Sequence, residues 1–338
     1  MKIAVIGAGI EGLCTAYELA TLGHGVQVFD RNSSAAEATS FANGSLMSAL
    51  TTGSVLQQVS AGALLRSKFK QSTPLHWRGF SPSLLRWAHQ TRKLRRSPVG
   101  SSRRKDLHEL MQNSRQHLTA VCNTLRIDID QSEGVMLLMR DAQERQHWSA
   151  LLHELSEWGA EFSTLDAQQA HDLEPALRDD TALNQAVLLR EDTSANCRQF
   201  GLLLKTHAEE MGVQFHFNAE VLPFAKNTAI HTVRTRQQDH KGFDAVVMCA
   251  GEGAMRLLHP LGIRPLVQYV HGYSVSAAVR EPLDAPKSAV FDTQNHVSIA
   301  RLGQRVRVAG GFTVGQHLGL EPRRLELLYK VLDDWFPG

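Results

Sequence analysis

Three glycines near the amino terminus have the spacing of a dinucleotide-binding turn. Gly7, Gly9 and Gly12 form G-x-G-x-x-G directly after the apolar segment KIAVI. The first glycine of such a turn permits a tight bend, the second lets the backbone approach a pyrophosphate, and the third lets a helix pack closely on a strand. The amino terminus of that helix offers unpaired N–H groups and a positive dipole end to phosphates. The pattern therefore predicts dinucleotide binding.

An acidic residue at the end of the next apolar segment extends this pattern. Asp30 lies 18 positions after Gly12, where a carboxylate accepts hydrogen bonds from the ribose hydroxyls of adenosine. The same carboxylate would repel a 2′-phosphate, so NADP is disfavoured while NAD and FAD stay open. Glu11, in the first turn of the predicted helix, would repel a pyrophosphate, and we expect it to point into solvent. The predicted cofactor site also includes the residues that flank the glycines: Val5, Ile6, Ala8 and Ile10.

Apolar periodicity defines the elements that must position these residues. Residues 2–30 predict strand, helix and strand, with Gly23 ending the helix. Residues 33–62 predict a loop, and residues 64–121 predict basic helices interrupted near Pro74, Pro82 and Pro98. Further strands are predicted at 134–140, 186–192, 213–217 and 243–251, and further helices at 142–158, 198–211 and 322–335, with Asp166 capping a short helix.

These elements predict an α/β fold with two domains, because 338 residues exceed the size of one ordinary core. The segment 243–251 is nearly all apolar, as in a buried parallel strand. Residues 265–312 show the period-two pattern of a largely antiparallel sheet. We predict a Rossmann-like FAD- or NAD-binding domain from residues 1–75 and 192–262. A discontinuous α+β substrate or cap domain on a mainly antiparallel sheet would comprise residues 76–191 and 263–338.

Composition narrows the class of protein. Hydrophobic residues at 43% and charged residues at 21% are typical of a globular protein. The four cysteines lie far apart without a C-x-x-C pair, which argues against a zinc site and a disulfide framework and fits a reducing compartment. We predict no metal site, no nucleic-acid partner, no signal peptide and no membrane span, and therefore a cytoplasmic location.

One segment is strongly basic. Residues 66–105 contain 12 Lys and Arg, and no acidic residue lies between Glu37 and Asp106. Phe80, Leu84, Leu85 and Trp87 lie among these cations, as in segments that bind an anionic bilayer surface. Two interpretations stay open: peripheral contact with the inner face of the plasma membrane, or a solvated basic helix.

The segment ATSFANGSLMS (38–48) resembles the T-S-x-A-N segment of the D-amino acid oxidase-like flavoproteins, and is most similar to that of the bacterial D-amino acid dehydrogenases. Later stretches agree with this family in order and spacing across the chain: FNAEV (217–221), FDAVVMCAG (243–251), HGYSV (271–275), VRVAGG (306–311) and EPRRLELL (321–328). The resemblance favours FAD over NAD.

The resemblance also implies site residues. Gly7, Gly9, Gly12 and Asp30 would hold the ADP half of FAD, with Arg31 beside the adenosine. The other implied cofactor contacts are Thr39, Ser40, Ala42 and Asn43 around the pyrophosphate and ribityl chain, Val221 at the adenine, and Ala250 and Gly251 at the end of a central strand. Asn43-Gly44-Ser45 departs from the family's Asn-Ala-Gly, which predicts a backbone shift there.

The implied activity is oxidation of a D-amino acid. A hydride passes from the α-carbon to flavin N5, the imine hydrolyses to a 2-oxo acid and ammonia, and a quinone or another carrier takes the electrons. Tyr273 and His271 are the implied catalytic residues; the alternatives are a half-buried strand aromatic and a surface residue. An oxygen-using glycine, sarcosine or D-proline oxidase, and a truncated, non-catalytic flavin-binding remnant, also stay open.

Relatives continue beyond the last residue of this sequence. Their continuation carries an arginine that clamps the substrate carboxylate, a glycine-rich loop at the flavin and the last strand and helix of the FAD domain. The sequence therefore predicts a fragment that is poorly soluble, holds FAD weakly and lacks activity on its own. Arg301, Arg305 and Arg307, on the second sheet, are the candidates for a replacement clamp.

Overall fold

The computed structural model of this chain describes residues 1–51, 54, 75–79, 81–95, 97–224, 231–264, 267–315 and 319–338. Pro74, Phe80 and Arg96 of the basic segment lie outside the described residues. The elements in chain order are β1 (Lys2–Ile6), α1 (Ile10–Thr21), β2 (Gly25–Phe29), β3 (Leu46–Met47), β4 (Leu75–Arg78), α2 (Pro82–Arg95), α3 (Pro98–Leu125), β5 (Gln131–Met139), α4 (Ala142–Glu157), β6 (Phe162–Leu165), α5 (Ala167–Leu173), β7 (Gln185–Ala195), α6 (Cys197–Glu210), β8 (Gln214–His216), β9 (Thr232–Arg234), β10 (Asp239–Lys241), β11 (Ala245–Met248), α7 (Ala254–Leu258), β12 (Val270–Ala278), β13 (Ala289–Asp292), β14 (Val297–Leu302), β15 (Arg305–Gly315) and α8 (Pro322–Trp335).

The chain forms two compact units, each built from several segments. Unit 1 comprises Met1–Asn43, Asn123–Ile129 and Cys197–Leu266, and unit 2 comprises Gly44–Cys122, Asp130–Asn196 and Val267–Gly338. The first segment of unit 1 ends at Asn43, well before residue 75, the first domain boundary predicted from the sequence. The functional assignment of the two predicted domains stays a prediction.

Unit 1 contains a parallel sheet in the order β11-β1-β2-β8. The strand–helix–strand unit predicted over residues 2–30 is present, and Gly23 follows α1 with φ +80°, a left-handed conformation that suits glycine. Phe29, Phe243 and Leu257 are buried together on this sheet. The segment 243–251 is less buried than predicted, because β11 is an edge strand of the described sheet and its four residues are half-buried.

Unit 2 contains a second, mainly antiparallel sheet along the path β12-β15-β14-β13-β5-β7-β3, with β4 on β15 and β6 on β7. The predicted fold class, a mixed α/β fold with a second, mainly antiparallel sheet, is therefore confirmed. Two pairs are parallel, β13 with β5 and β4 with β15. One face of the sheet packs against α8 through Leu328 and Val331, and the other packs against Trp148 of α4.

Several local predictions are confirmed and others are wrong. Asp166 accepts a hydrogen bond from the Gln169 N–H at 2.8 Å and completes a capping box at α5. The helical segment is interrupted near Pro82 and Pro98 as predicted, because these prolines begin α2 and α3. Proline at the first helical position lacks only a donor that would be unpaired anyway. The strands β3, β4, β6, β9 and β10 were not predicted, and β3 lies in the segment 33–62 that was expected to be a loop. No helix within the described ranges is long and apolar enough to cross a membrane.

Candidate dinucleotide site

The glycine turn between β1 and α1 has two positions that exclude any side chain. A Cβ at Gly7, where φ is +110°, would lie 2.3 Å from the Cys249 carbonyl oxygen. A Cβ at Gly12 would lie 1.9 Å from the Gly7 carbonyl oxygen. Both obstacles are backbone atoms, so they cannot move aside as a flexible side chain could. At Gly9 the nearest atom to a Cβ would be Ser40 Oγ at 3.4 Å. The apo protein therefore has space for a methyl group at this position, next to the cavity.

The amino terminus of α1 is open to an anion. Gly9 is its N-cap residue and supplies no side-chain hydrogen bond. Ile10 N–H donates to Ser40 Oγ at 3.0 Å, so Ser40 supports the first helical turn from the loop that follows β2. The remaining first-turn N–H groups and the helix dipole suit a phosphate at this point.

Asp30, directly after β2, is tied to the glycine turn. Its Oδ2 accepts a hydrogen bond from Ala8 N–H at 2.6 Å, and its Oδ1 accepts one from Asn32 N–H at 2.8 Å. An ionised carboxylate has about four acceptor sites, so both oxygens keep capacity for ribose hydroxyls. The Asp30 backbone carbonyl also accepts from Ala219 N–H at 2.8 Å, which brings the segment after β8 to the same place.

These groups surround a cavity of about 300 Å³ at the carboxyl ends of the parallel strands, where open α/β sheets bind ligands. The structure brings together most of the predicted cofactor-binding residues in its lining: Ile6, Gly7, Gly9, Ile10, Asp30, Arg31, Thr39, Ser40, Asn43, Val221, Ala250 and Gly251. Four others do not line it. Val5 and Ala8 are buried, Gly12 packs against Gly7, and Ala42 is half-buried.

Several lining residues were not predicted from the sequence. They are Glu11, Phe29, Asn32, Ala38, Ala219, Glu220, Cys249, Glu252, Gly253, Arg256 and Leu257. Most of them adjoin residues that the motifs did identify, so extending each motif by two positions would have found them. Arg256 had no such signal, because α7 carries it to the cavity five positions after Gly251. The Cys249 thiol lies on the wall, and burial raises its pKa, so it stays protonated at neutral pH.

Ion pairs line the edge of the cavity. Arg31 and Glu252 form one at 2.9 Å. Glu220 forms two more, with Arg256 at 2.9 Å and Arg236 at 2.7 Å, and the hydrogen bond from Arg256 is the main cause that lowers the pKa of Glu220. Glu11 is exposed, as predicted, although it also lines the cavity.

Phe29 forms part of the cavity wall and is backed by two imidazoles. Its ring stacks on His216 with centroids 4.7 Å apart and meets the edge of His240 at 4.7 Å. Burial is the main cause that lowers the pKa of both histidines, so both rings are neutral at pH 7. The Phe29 ring is therefore backed by two uncharged imidazoles.

The Gly44-Ser45 pair, where the sequence departs from the related pattern, belongs to unit 2. Ser45 adopts φ +61°, a left-handed conformation that favours glycine. Gly44 is tightly packed, since a Cβ there would lie 3.3 Å from Ser298 Oγ. The serine therefore occupies the position that requires a positive φ, and the glycine precedes it.

The two predicted catalytic residues lie on β12 with different surroundings. His271 is half-buried, and its ring lies 6.4 Å from that of Tyr269. Tyr273 is 9% exposed and packs in the core with Leu328; its hydroxyl donates to the Gly319 carbonyl at 3.4 Å. Burial is the main cause that raises the pKa of Tyr273. The catalytic roles of both residues stay predictions.

The three candidate arginines of the second sheet also differ. Arg301 donates to the Gly303 carbonyl at 3.0 Å and to the Pro282 carbonyl at 3.3 Å. Arg305, at the start of β15, is exposed. Arg307 is half-buried and donates to Ser276 Oγ at 3.3 Å and Ser45 Oγ at 3.5 Å.

Comparison with known proteins identifies the family. The family described as DAO, FAD dependent oxidoreductase, matches residues 2–338. The chain belongs to this family. It is 31% identical to a D-amino acid dehydrogenase of Rhizorhabdus wittichii, covering 100% of this chain and 82% of the relative. It is 33% identical to a D-amino acid dehydrogenase of Cereibacter sphaeroides, covering 100% of this chain and 78% of the relative.

A solved structure has the same fold. The glycine oxidase of Geobacillus kaustophilus aligns with a TM-score of 0.70 at 21% identity, over 99% of this chain and 78% of that one. The cofactor of the family is FAD, as predicted. The cavity fits the ADP half of FAD, because it combines room beside Gly9, a helix terminus whose N-cap residue has no side chain, and a carboxylate with spare acceptor sites.

Proposed function

We propose that this protein is an FAD-dependent dehydrogenase that oxidises D-amino acids to 2-oxo acids and ammonia and passes the electrons to a quinone or another carrier. The observation that carries the proposal is the glycine-turn cavity with Asp30, in a chain that matches D-amino acid dehydrogenases over its whole length. When bound, FAD supplies a hydride acceptor at flavin N5.

In unit 1 the proposed work of the protein is to hold the cofactor. The α1 terminus and the Gly9 backbone bind the pyrophosphate, Asp30 accepts from the ribose, and Val221 and Ala250 flank the adenine. None of these residues transfers a proton. They orient the cofactor, and orientation is the larger part of what a protein contributes to cofactor chemistry.

In unit 2 we assign the substrate carboxylate to Arg307. Its guanidinium donates to the hydroxyls of Ser276 and Ser45, which orient it. Arg301 is directed instead at backbone carbonyls. A planar guanidinium binds a carboxylate through two charge-assisted hydrogen bonds. Arg307→Lys would keep the charge and lose this fork, and we expect a KM for the D-amino acid roughly tenfold or more higher with FAD binding unchanged.

His271 and Tyr273 are the proposed substrate-side residues, and the structure supports them unequally. The imidazole of His271 is half-buried beside the ring of Tyr269. The Tyr273 hydroxyl donates to the Gly319 carbonyl, just before α8, which supports a positioning role. We expect His271→Asn to lower kcat. Tyr273→Phe is expected to change the pH profile little.

The decisive experiment is turnover of the purified chain with FAD. The proposed function predicts 2-oxo acid formation from D-alanine or D-proline with a quinone analogue as acceptor, no turnover of the L-enantiomers, and no hydrogen peroxide, whereas the sequence-based expectation of a fragment without activity on its own predicts no turnover. Stoichiometric peroxide would make the protein an oxygen-using oxidase of the same family. A protein that retains FAD with its visible absorbance but shows no turnover would be the non-catalytic flavin-binding remnant.

We also propose that α2 contacts an anionic membrane surface. Arg86, His89 and Lys93 are exposed and lie on one helical face. Leu84 is buried and Trp87 is half-buried against Trp77, so the sequence-based expectation that both face a bilayer is wrong. The proposed contact is therefore electrostatic, each charge contributing about 1 kcal/mol.

Vesicle co-sedimentation tests this contact. Wild type is expected to bind phosphatidylserine vesicles at low salt and to be released at high salt, and Arg86→Glu/Lys93→Glu should bind much less. Lys241→Glu/Lys287→Glu makes the same change in charge outside the basic segment and should bind as wild type does. Equal binding by all three proteins would identify α2 as a solvated basic helix.

A further inference from the structure

An ion pair spans the cavity at its solvent edge. Arg31 follows β2, Glu252 follows β11, and β1 lies between these strands in the sheet. The pair therefore crosses the end of β1, where the glycine turn lies, over two strand spacings of about 4.8 Å each. Both side chains are about half exposed, at 51% and 53%, so the pair lies at the edge of the cavity rather than on its floor.

A second ion pair links the segment after β8 to the helix that continues the segment after β11. Glu220 lies in the segment after β8, and Arg256 lies on α7. Their 2.9 Å contact joins the segment that contains Val221 to the helix after β11. Arg31–Glu252 and Glu220–Arg256 thus connect the segments after β2 and after β8 to the segment after β11, and all four side chains line the same cavity.

Electrostatic attraction of an anionic cofactor does not explain the acidic residues of the cavity lining. The ionised side chains of the lining are Glu11, Asp30, Glu220 and Glu252 against Arg31 and Arg256, which is four negative charges and two positive ones. A pyrophosphate is itself anionic, so a lining that served only to attract it would not include the carboxylate of Glu252. Its contact with Arg31 supplies a different reason for an acid at this position.

On the basis of the proposed FAD site, we propose that the Arg31–Glu252 ion pair is a clasp that retains FAD. Glu252 is a positioning residue: it holds the Arg31 guanidinium across the edge of the adenosine cavity. Release of the cofactor requires the pair to separate, so the clasp acts on the dissociation rate of FAD. The energy of an exposed pair is modest, and the expected effect is an increase in dissociation rate of roughly twofold to fivefold when the pair is broken.

The test is the dissociation rate of FAD from the loaded chain, followed by the recovery of flavin fluorescence after dilution. Glu252→Gln and Arg31→Gln should each accelerate dissociation, and the double variant should be no faster than Arg31→Gln. High salt should accelerate release from wild type but not from the double variant. Glu11→Gln is the matched control, because it removes one negative charge from the same lining without breaking this pair, and it should slow release or leave it unchanged.

Two further measurements separate the clasp from other roles. Glu209→Gln breaks the 2.6 Å pair with Lys205 on α6, away from the cavity lining, and should leave the rate unchanged. The melting temperature of each apo variant shows whether the Arg31–Glu252 pair stabilises the fold instead. If Glu252→Gln slowed release as Glu11→Gln does, charge alone would govern retention and the clasp would be refuted. Rates equal to wild type would also refute it, while a chain that binds no FAD would overturn both this proposal and the proposed function.

Discussion

Asp30 Oδ2 accepts a hydrogen bond from the backbone N–H of Ala8 at 2.6 Å. This contact links the end of β2 to the glycine turn that follows β1, across 22 residues of sequence. The acid that is expected to bind ribose therefore also holds the turn that is expected to bind pyrophosphate. FAD affinity and the stability of the glycine turn are therefore both expected to depend on the Asp30 side chain.

Substitution of Asp30 should reveal both functions. Asp30→Ala removes the acceptor for Ala8 and Asn32, and we expect the apo protein to lose about 1–3 kcal/mol of unfolding free energy together with most of its FAD affinity. Asp30→Asn keeps one carbonyl acceptor, so its unfolding free energy and FAD affinity should lie between those of wild type and Asp30→Ala. Urea unfolding of the apo protein and FAD titration measure the two effects. Weaker FAD binding at unchanged apo stability would show that the carboxylate does not hold the turn.

Gly9 and Gly12 should respond in opposite ways to the same substitution. Gly9→Ala places its Cβ 3.4 Å from Ser40 Oγ, so the apo stability should stay within about 1 kcal/mol of wild type, while the approach of the pyrophosphate is blocked. Gly12→Ala places its Cβ 1.9 Å from a backbone oxygen and should destabilise the fold by about 3 kcal/mol or more. The flavin-to-protein ratio and urea unfolding check the pair. A yellow Gly9→Ala protein would contradict the assigned pyrophosphate position.

Ser45→Gly should stabilise the protein. At φ +61° a non-glycine residue costs about 1–2 kcal/mol, and glycine returns about 0.5–1 kcal/mol of that as chain entropy, so the expected gain is about 0.5–1 kcal/mol. Ser45→Ala, the matched control, keeps the positive φ, loses the hydroxyl near Arg307 and should show no gain. Chemical denaturation of the three proteins measures the difference, and a Gly variant less stable than wild type would show that the hydroxyl matters more than the backbone.

His296 should make stability depend on pH. Burial, as the main cause, lowers its pKa from 6.5 to about 4. Between these values the unfolded chain binds a proton that the folded protein does not, so the free energy of unfolding falls as the pH decreases from about 6.5 to about 4. At ~1.4 kcal/mol per pKa unit the loss amounts to a few kcal/mol.

His296→Asn tests this dependence. Asparagine tolerates the φ of +53° at this position and does not titrate, so the variant's unfolding free energy should vary less between pH 6.5 and pH 4. His89→Asn, on the exposed face of α2, should keep the dependence of wild type. Parallel curves for wild type and His296→Asn, measured by urea unfolding at several pH values, would assign the acid sensitivity to other groups.

Much of the fold could be predicted because its signals are local. The β1–α1–β2 unit, the bounds of α8 and the cap at Asp166 follow from apolar periodicity, proline and capping residues within a few positions of one another. The glycine turn follows from the same kind of information, since the Gly7 and Gly12 positions tolerate no Cβ for reasons set by strand, turn and helix geometry. The sequence alone also determined the family and its cofactor.

Only the tertiary structure decided which distant residues meet. β4 was not predicted because its four residues form a strand only by pairing with β15, more than 230 positions later. The same pairing turns Leu84 and Trp87 inward, toward Trp77 and Val314, although their sequence neighbourhood is that of a membrane-binding helix. The Arg31–Glu252 pair joins residues 221 positions apart. Local periodicity shows that a face is apolar or that a loop is charged, but it contains no information on which other segment supplies the partner. The choice of partner segment depends on how the whole chain folds into its sheets.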